Sequence, residues 1–367
     1  MTASALTPEL VLQTLRTVHD PDLRKDIVSL GFVKDVQIDQ GRVAFRIELA
    51  TPAFPIRDRL QKQARAVVQA LPGVEAVEIQ VLGVVRSATA PEHGRPPLPG
   101  VKNVIAVGAG KGGVGKTTVA VNLAVALSKA GSRVGILDGD MYGPNVPIMF
   151  GLQAELVTDG RQIVPAEKYG IQIVSIGFMT SEDAPVIWRG PMLHGAIKQF
   201  FNEVAWRDLD YLIVDMPPGT GDIALSLSQT VPVAGAVVVT TPQQVSLADS
   251  RRAVRMYQKL NIPTLGIVEN MSFFTCDHCQ HEADLFGHGG GEQIAEQLDV
   301  PFLGRLPLYR PIRIGSDRGI PLVIAEPDSP ASHAFVHVAE QVAAQVAMAA
   351  QKAAVTHKGK IPLVPVQ

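Results

Sequence analysis

The sequence predicts an α/β fold: a mostly parallel, doubly wound sheet covered by helices, preceded by a small α+β domain. Three observations carry this. After residue 100, short apolar runs alternate with segments of helical period. A glycine-rich octapeptide, Gly110 to Thr117, joins the first of those runs to the helix behind it. A stretch rich in Pro, Ala and Gly, Ser87 to Gly100 (SATAPEHGRPPLPG), separates this body from what precedes it. A chain of 367 residues is long enough for one large and one small domain.

The small domain spans residues 1–86. Helices are expected over Pro8–Val18 and Pro55–Leu71, and strands over Phe32–Ile38, Arg42–Leu49 and Val74–Leu82. The second strand alternates Val43, Phe45, Ile47, Leu49, which is the pattern of a half-buried sheet. Asp39-Gln40-Gly41 supplies the hairpin turn before it. One helical layer on a small sheet accommodates this α-β-β-α-β order. Residues 87–100 have no hydrophobic period and read as an extended, exposed linker.

The large domain spans 101–355. Its expected strands are Asn103–Ala109, Arg133–Asp138, Ile171–Ile176, Tyr211–Asp215, Gly235–Thr240, Thr264–Glu269 and Phe302–Leu306. Ligands of such sheets bind at the carboxyl ends of the strands. Gly110-Lys111-Gly112-Gly113-Val114-Gly115-Lys116-Thr117 fits G-x-x-x-x-G-K-[ST] at that place, with Thr118 opening the helix that runs to Ala130. Glycines let the backbone approach phosphate, and the helix N-terminus adds its positive dipole. Lys116 then reaches the β- and γ-phosphates, and the Thr117 hydroxyl coordinates Mg²⁺. Lys111 is not required by this motif; by residues alone it is an extra cation or a solvated lysine.

Two more strand ends supply carboxylates. Tyr211-Leu212-Ile213-Val214-Asp215 delivers Asp215 beside the Mg²⁺ held by Thr117, the second half of a nucleotide site. Pro217-Pro218-Gly219-Thr220-Gly221-Asp222 follows as a loop suited to sensing a γ-phosphate. Leu137-Asp138-Gly139-Asp140 ends another strand, and one of its carboxylates can orient the attacking water; Asp140 is the favoured one, against an N-cap or turn role.

Composition narrows the function classes. The formal charge of −2 lacks the basic footprint of nucleic-acid binding. No run approaches the ~18–20 apolar residues of a membrane span, and Met1 to Glu9 lacks the order of a secretory signal. The chain has two cysteines, so a reducing, cytoplasmic compartment is the default. The helix expected over Pro330–Val355 carries Phe335, Val338, Val342 and Val346 on one face and lacks the residues of a membrane-surface anchor. The tail 356–367 reads as disordered.

Both thiols, Cys276 and Cys279, lie in Phe274-Thr275-Cys276-Asp277-His278-Cys279-Gln280-His281. Two thiolates at C-x-x-C spacing cannot complete a four-ligand site. A redox dithiol, a zinc site recruiting His278 or His281, and a metal bridging two chains all stand open, the last meeting the ligand count directly. Gly287-His288-Gly289-Gly290-Gly291-Glu292 opens a helix to Leu298 and reads as a second flexible loop or a plain turn. Trp188-Arg189-Gly190-Pro191 reads as a partner contact or a core Trp.

GKGGVGKT with its extra lysine, LDGDMYGPN, VDMPPGTGD and GIVENMS together resemble the Mrp/ApbC family of P-loop ATPases, relatives of MinD and the nitrogenase iron protein. The N-terminal unit, with DPDLRKDIVSLGFV and TPAFPIRD, is similar to the MIP18-type domain found before many of them. The resemblance runs from about Pro8 to Leu322. It implies an ATP-hydrolysing carrier or scaffold of an iron–sulfur cluster, 4Fe-4S, shared by a homodimer and delivered to apo client proteins, with the cluster assembly machinery as further partner. It raises iron–sulfur above zinc. It also implies that Lys111 reaches the partner subunit's nucleotide, that Asp140 is the switch carboxylate near the water, and that Asn270 contacts adenine. Phe54 stands where the family often has Cys, which argues against a thiol function in the small domain. A MinD/ParA-like positioning ATPase and a nitrogenase-iron-protein-like reductase are the rivals. The first fits the paired cysteines poorly, and the second uses thiols far apart in sequence.

Overall fold

A computed structural model describes residues 6–20, 25–49, 51–53, 57–89, 96–140, 143–178, 190–219, 222–276, 278–279 and 281–358. Phe54, Trp188-Arg189 and Thr220-Gly221 lie outside the described residues, as do residues 359–367 of the tail expected over 356–367; residues 356–358 instead continue the helix Pro330–Lys358. The chain divides into two compact units, Met1–Val85 and Arg86–Gln367.

In the first unit Val33–Asp39 and Arg42–Leu49 form an antiparallel hairpin, and Ala76–Gly83 joins the second strand in parallel. The turn is Gln40-Gly41, both at positive φ, the combination that a two-residue hairpin favours. Alternation along Arg42–Leu49 points Val43, Phe45, Ile47 and Leu49 at the helices Pro8–Leu15 and Arg57–Gln69. These meet Val11, Leu15, Leu60, Ala64 and Val68 in one apolar core. Helix Pro8–Leu15 begins where Thr7 accepts the Leu10 amide and stops three residues short of the expected Val18.

The second unit is built on an eight-stranded sheet. Its order is Ala166–Lys168, Ile171–Ser175, Val134–Asp138, Leu209–Asp215, Val101–Ala109, Gly235–Thr240, Thr264–Glu269, Phe302–Arg305. All pairs are parallel except the first. Leu209–Asp215 and Gly235–Thr240 are buried throughout, which is why Tyr211–Val214 and Ala236–Val239 within them read as continuous apolar runs. Helices Lys116–Lys129 and Pro330–Lys358 pack on each other, the first against the central strands and the second against Thr264–Glu269 and Phe302–Arg305. Phe335, Val338, Val342 and Val346 are buried there, on the face expected. Gly190–Glu203, Asp222–Thr230 and Gln244–Lys259 contribute to the other large core through Phe200, Phe201, Leu227, Val254 and Tyr257.

Two features depart from the sequence reading. The antiparallel edge strand Ala166–Lys168 is an addition; it turns back through Tyr169-Gly170, both at positive φ. Three residues are too short for a periodic signal. The stretch 87–100 is not simply an exposed linker either. The Ala88 amide donates to Asn103 Oδ1 at 2.8 Å, Ser87 Oγ donates to Lys102 O at 3.0 Å, and Leu98 is buried in the large core. Its described ends belong to the second unit.

Candidate functional site

Parallel register brings the strand ends into one row. Asp215 lies opposite Val107 on one side and Asp138 on the other, Val239 opposite Ala109, and Thr240 opposite Glu269. Four loops therefore leave the same edge of the sheet beside the phosphate loop.

The loop itself, Gly110 to Gly115, leads into helix Lys116–Lys129 with Gly115 at φ 81 as its N-cap. A side chain at Gly115 would be strained in that conformation and would overlap Asn270 Nδ2. A Cβ at Gly110 would collide with the Asp249 carbonyl on helix Gln244–Lys259. Val114 is buried beneath the loop, Gly112 and Gly113 are exposed, and Thr118 is half-buried.

Lys116, almost wholly buried, donates from Nζ to Asp215 Oδ1 at 2.6 Å and lies 3.7 Å from Asp140 Oδ2. Thr117 Oγ1 donates to Asp215 Oδ2 at 2.7 Å. A hydroxyl and a carboxylate side by side are hard oxygen donors, the set that suits Mg²⁺. Lys116, Thr117, Asp140 and Asp215 thus converge as expected. Lys111 is half-buried, with no carboxylate paired to it among the described residues.

Asp138 and Asp140 separate in role. Asp138 is fully buried and holds the turn: Oδ1 accepts the Asp140 amide at 3.1 Å, and Oδ2 accepts Val146 N at 3.2 Å and Ser175 Oγ at 3.0 Å. Burial, then the charge of Asp215, pushes its carboxyl up to about 8. Burial also raises Asp215, with Asp140 adding to the rise and Lys116 and Thr117 opposing it. Asp140 instead faces Lys116, its Oδ2 3.7 Å from Nζ.

Asn270, buried, donates from Nδ2 to Val114 O at 2.8 Å, so the side chain tied to adenine by resemblance braces the phosphate loop. The residue before it, Glu269, is fully buried, though nothing in the sequence around it signals a role. Its carboxylate accepts from Ser272 Oγ at 2.5 Å, Gly289 N at 3.0 Å and Gly291 N at 2.5 Å. The glycine loop is therefore held at the N-terminus of helix Gly290–Gln297 by a buried carboxylate.

Cys276 and Cys279 sit on a hairpin whose strands are Phe274–Thr275 and Glu282–Ala283, with the Cys276 amide donating to His281 O at 3.0 Å. Cys276 is half-buried; Cys279, His278 and His281 are exposed. Among the described residues no three His, Cys, Asp or Glu side chains assemble as a metal site, so His278 and His281 are not gathered with the thiols. The hairpin rests on the segment after Phe302–Arg305, through Thr275 N to Leu308 O at 3.3 Å and Leu308 N to Phe273 O at 2.7 Å.

Residues 100–343 match the family described as NUBPL iron-transfer P-loop NTPase, and residues 8–81 the iron–sulfur cluster assembly protein family. A protein of Synechocystis sp. named iron–sulfur cluster carrier protein is 49% identical over 94% of this chain and 99% of its own. A nucleotide-binding protein of Archaeoglobus fulgidus, solved with ADP and cobalt, shares 36% identity over 65% of this chain and 93% of its own, at a TM-score of 0.56. The septum site-determining protein MinD of Pyrococcus horikoshii, complexed with Mg-ADP, aligns at 24% identity and a TM-score of 0.50 over 65% of this chain and 95% of its own, a likeness of fold.

Proposed function

The chain belongs to the NUBPL iron-transfer P-loop NTPase family, and we propose that it is an ATP-hydrolysing carrier that holds an iron–sulfur cluster between two subunits and passes it to apo-proteins. The observation that carries this is the spacing of Asn270 and Cys276. The first holds the phosphate loop, and the second begins the thiol pair on the same chain segment.

Lys116 would turn from Asp215 to the β- and γ-phosphates, leaving Asp215 and Thr117 as the residues that would hold Mg²⁺. When bound, that ion would neutralise phosphate charge. Asp140 orients the attacking water. Lys111, lacking a carboxylate partner among the described residues, serves the partner subunit's nucleotide. Asn270 keeps Nδ2 on the loop and offers Oδ1 to adenine.

The cluster is cargo. Two thiols per chain suit a soft metal centre but fill half of a four-iron cluster's usual ligand set. Two-fold symmetry doubles any patch near its axis, so a homodimer supplies four. We assign this work to the cytoplasm, with neither nucleic acid nor membrane as partner, a reading supported by the two cysteines and the formal charge of −2; among the described residues no helix is long and apolar enough to cross a membrane. Client proteins and the assembly machinery are the partners.

The test is iron and acid-labile sulfide per chain after anaerobic reconstitution. A value near two irons per chain is expected, with loss in Cys276→Ala and Cys279→Ala while ATP still binds. A full cluster in either variant, or tightly bound zinc and no iron uptake in the parent, overturns the carrier reading.

A further inference from the structure

We propose that Glu269 is a positioning residue that couples the nucleotide loop to the thiol hairpin; this rests on the reading of both sites given above. A buried carboxylate is costly unless its oxygens are satisfied. Glu269 ends the strand Thr264–Glu269, is fully buried, and is satisfied by neutral donors: Ser272 Oγ, Gly289 N and Gly291 N. No Lys or Arg forms an ion pair with it among the described residues.

The placement of those donors is the informative part. Ser272 precedes the Cys276–Cys279 hairpin and Gly289 and Gly291 follow it. One carboxylate therefore clamps both ends of the segment that carries the thiols. Room for it depends on the missing side chain of Gly291, where a Cβ would lie 2.9 Å from Glu269 Cβ and 3.1 Å from Oε2. Ser272 is anchored a second time, its amide donating to Leu306 O at 3.0 Å.

The adjoining residue, Asn270, grips Val114 O in the phosphate loop. Two consecutive side chains at one strand end thus hold the nucleotide loop and the base of the thiol hairpin. Any shift of the phosphate loop as nucleotide binds pulls on Asn270, and Glu269 conveys that pull to both feet of the hairpin. Without the carboxylate, the hairpin keeps its chain connection but loses its common anchor, and the two sites move independently.

The experiment reads thiol alkylation by iodoacetamide in the full-length, cluster-free protein, without nucleotide, with Mg-ADP and with a non-hydrolysable Mg-ATP analogue. It needs neither iron nor hydrolysis, so failure of the carrier reading shows separately as absent iron uptake. The parent's alkylation rate is expected to change about threefold or more on nucleotide binding. Glu269→Ala should react faster and equally fast in all three states, while binding a fluorescent ATP analogue within about threefold of the parent. Glu269→Gln, which keeps one acceptor, should restore part of the nucleotide response. If Glu269→Ala fails to fold, Ser272→Ala removes one donor and should shrink the response. A parent whose alkylation ignores nucleotide, or a Glu269→Ala or Ser272→Ala protein with the full parental response, overturns the proposal.

Discussion

Lys116→Met tests the nucleotide-free site directly. It keeps the length of the side chain and removes its charge. In the parent, Nζ sits 2.6 Å from Asp215 Oδ1 and 3.7 Å from Asp140 Oδ2, with Asp215 fully buried. At an effective dielectric of about 20, the shorter contact alone is worth about 6 kcal/mol of gross attraction. Most of that offsets desolvation, and leaving the buried partner unpaired costs about 3–5 kcal/mol net. Asp215 is already raised by burial, with Lys116 opposing that rise. Without the lysine it rises further, so the folded variant binds a proton that the unfolded chain releases. Its stability deficit should therefore grow as pH is raised from 5 to 8. Urea denaturation across that range, without nucleotide, measures it. Phosphate release should fall by about 100-fold or more, as for loss of a group that meets developing charge. Parental stability at every pH together with parental turnover would refute the placement of Lys116 in both states.

Lys111→Ala should spare most ATP binding and lose hydrolysis, seen by nucleotide titration beside phosphate release; parental turnover would make it a solvated surface cation. Deleting Met1–Val85, which the unit boundary permits, should leave reconstituted iron per chain unchanged and alter only transfer to a client apo-protein. Asp138 sits at about 8 in the fold, so the folded state retains a proton that the unfolded chain loses near 3.8. Its contribution to stability is full below about pH 4 and is lost as pH rises through 8. The limiting slope is about 1.4 kcal/mol per pH unit. Asp138→Asn should flatten that slope in nucleotide-free thermal unfolding, and an unchanged slope would assign it elsewhere.

The legible parts of this molecule are those with a local signature. Val101–Ala109 and Gly235–Thr240 read as strands because burial on both faces makes their apolar runs continuous. The phosphate loop, Asp215 and Asp140 stand out in the sequence because motif and strand end lie together there, and the structure brings them side by side. The contacts that the sequence does not signal depend on partners distant along the chain. Asn270 meets Val114 across 156 residues, and Glu269 meets Gly291 across 22. Nothing in Val268-Glu269-Asn270 announces that one side chain turns to the phosphate loop and the other to a glycine turn. Sequence favours Asp140 over Asp138 by position alone; the physical reason is burial, with Val146 N and Ser175 Oγ filling one oxygen of Asp138. Tyr169-Gly170 carries a hairpin that its composition does not advertise.

The short run from Asn270 to Cys276 also acts as a ruler. A fully extended chain covers about 3.3–3.6 Å per residue, so these six steps limit the first thiol to roughly 20 Å from the Asn270 backbone in every state of the protein. Long excursions of the hairpin are forbidden by its own covalent leash. Whatever the nucleotide does to the bound cluster, it does within that radius, so turning the hairpin about its base is the motion the leash leaves least restricted. A pair of spectroscopic labels on the two sites would then report separations that stay within this reach in every nucleotide state.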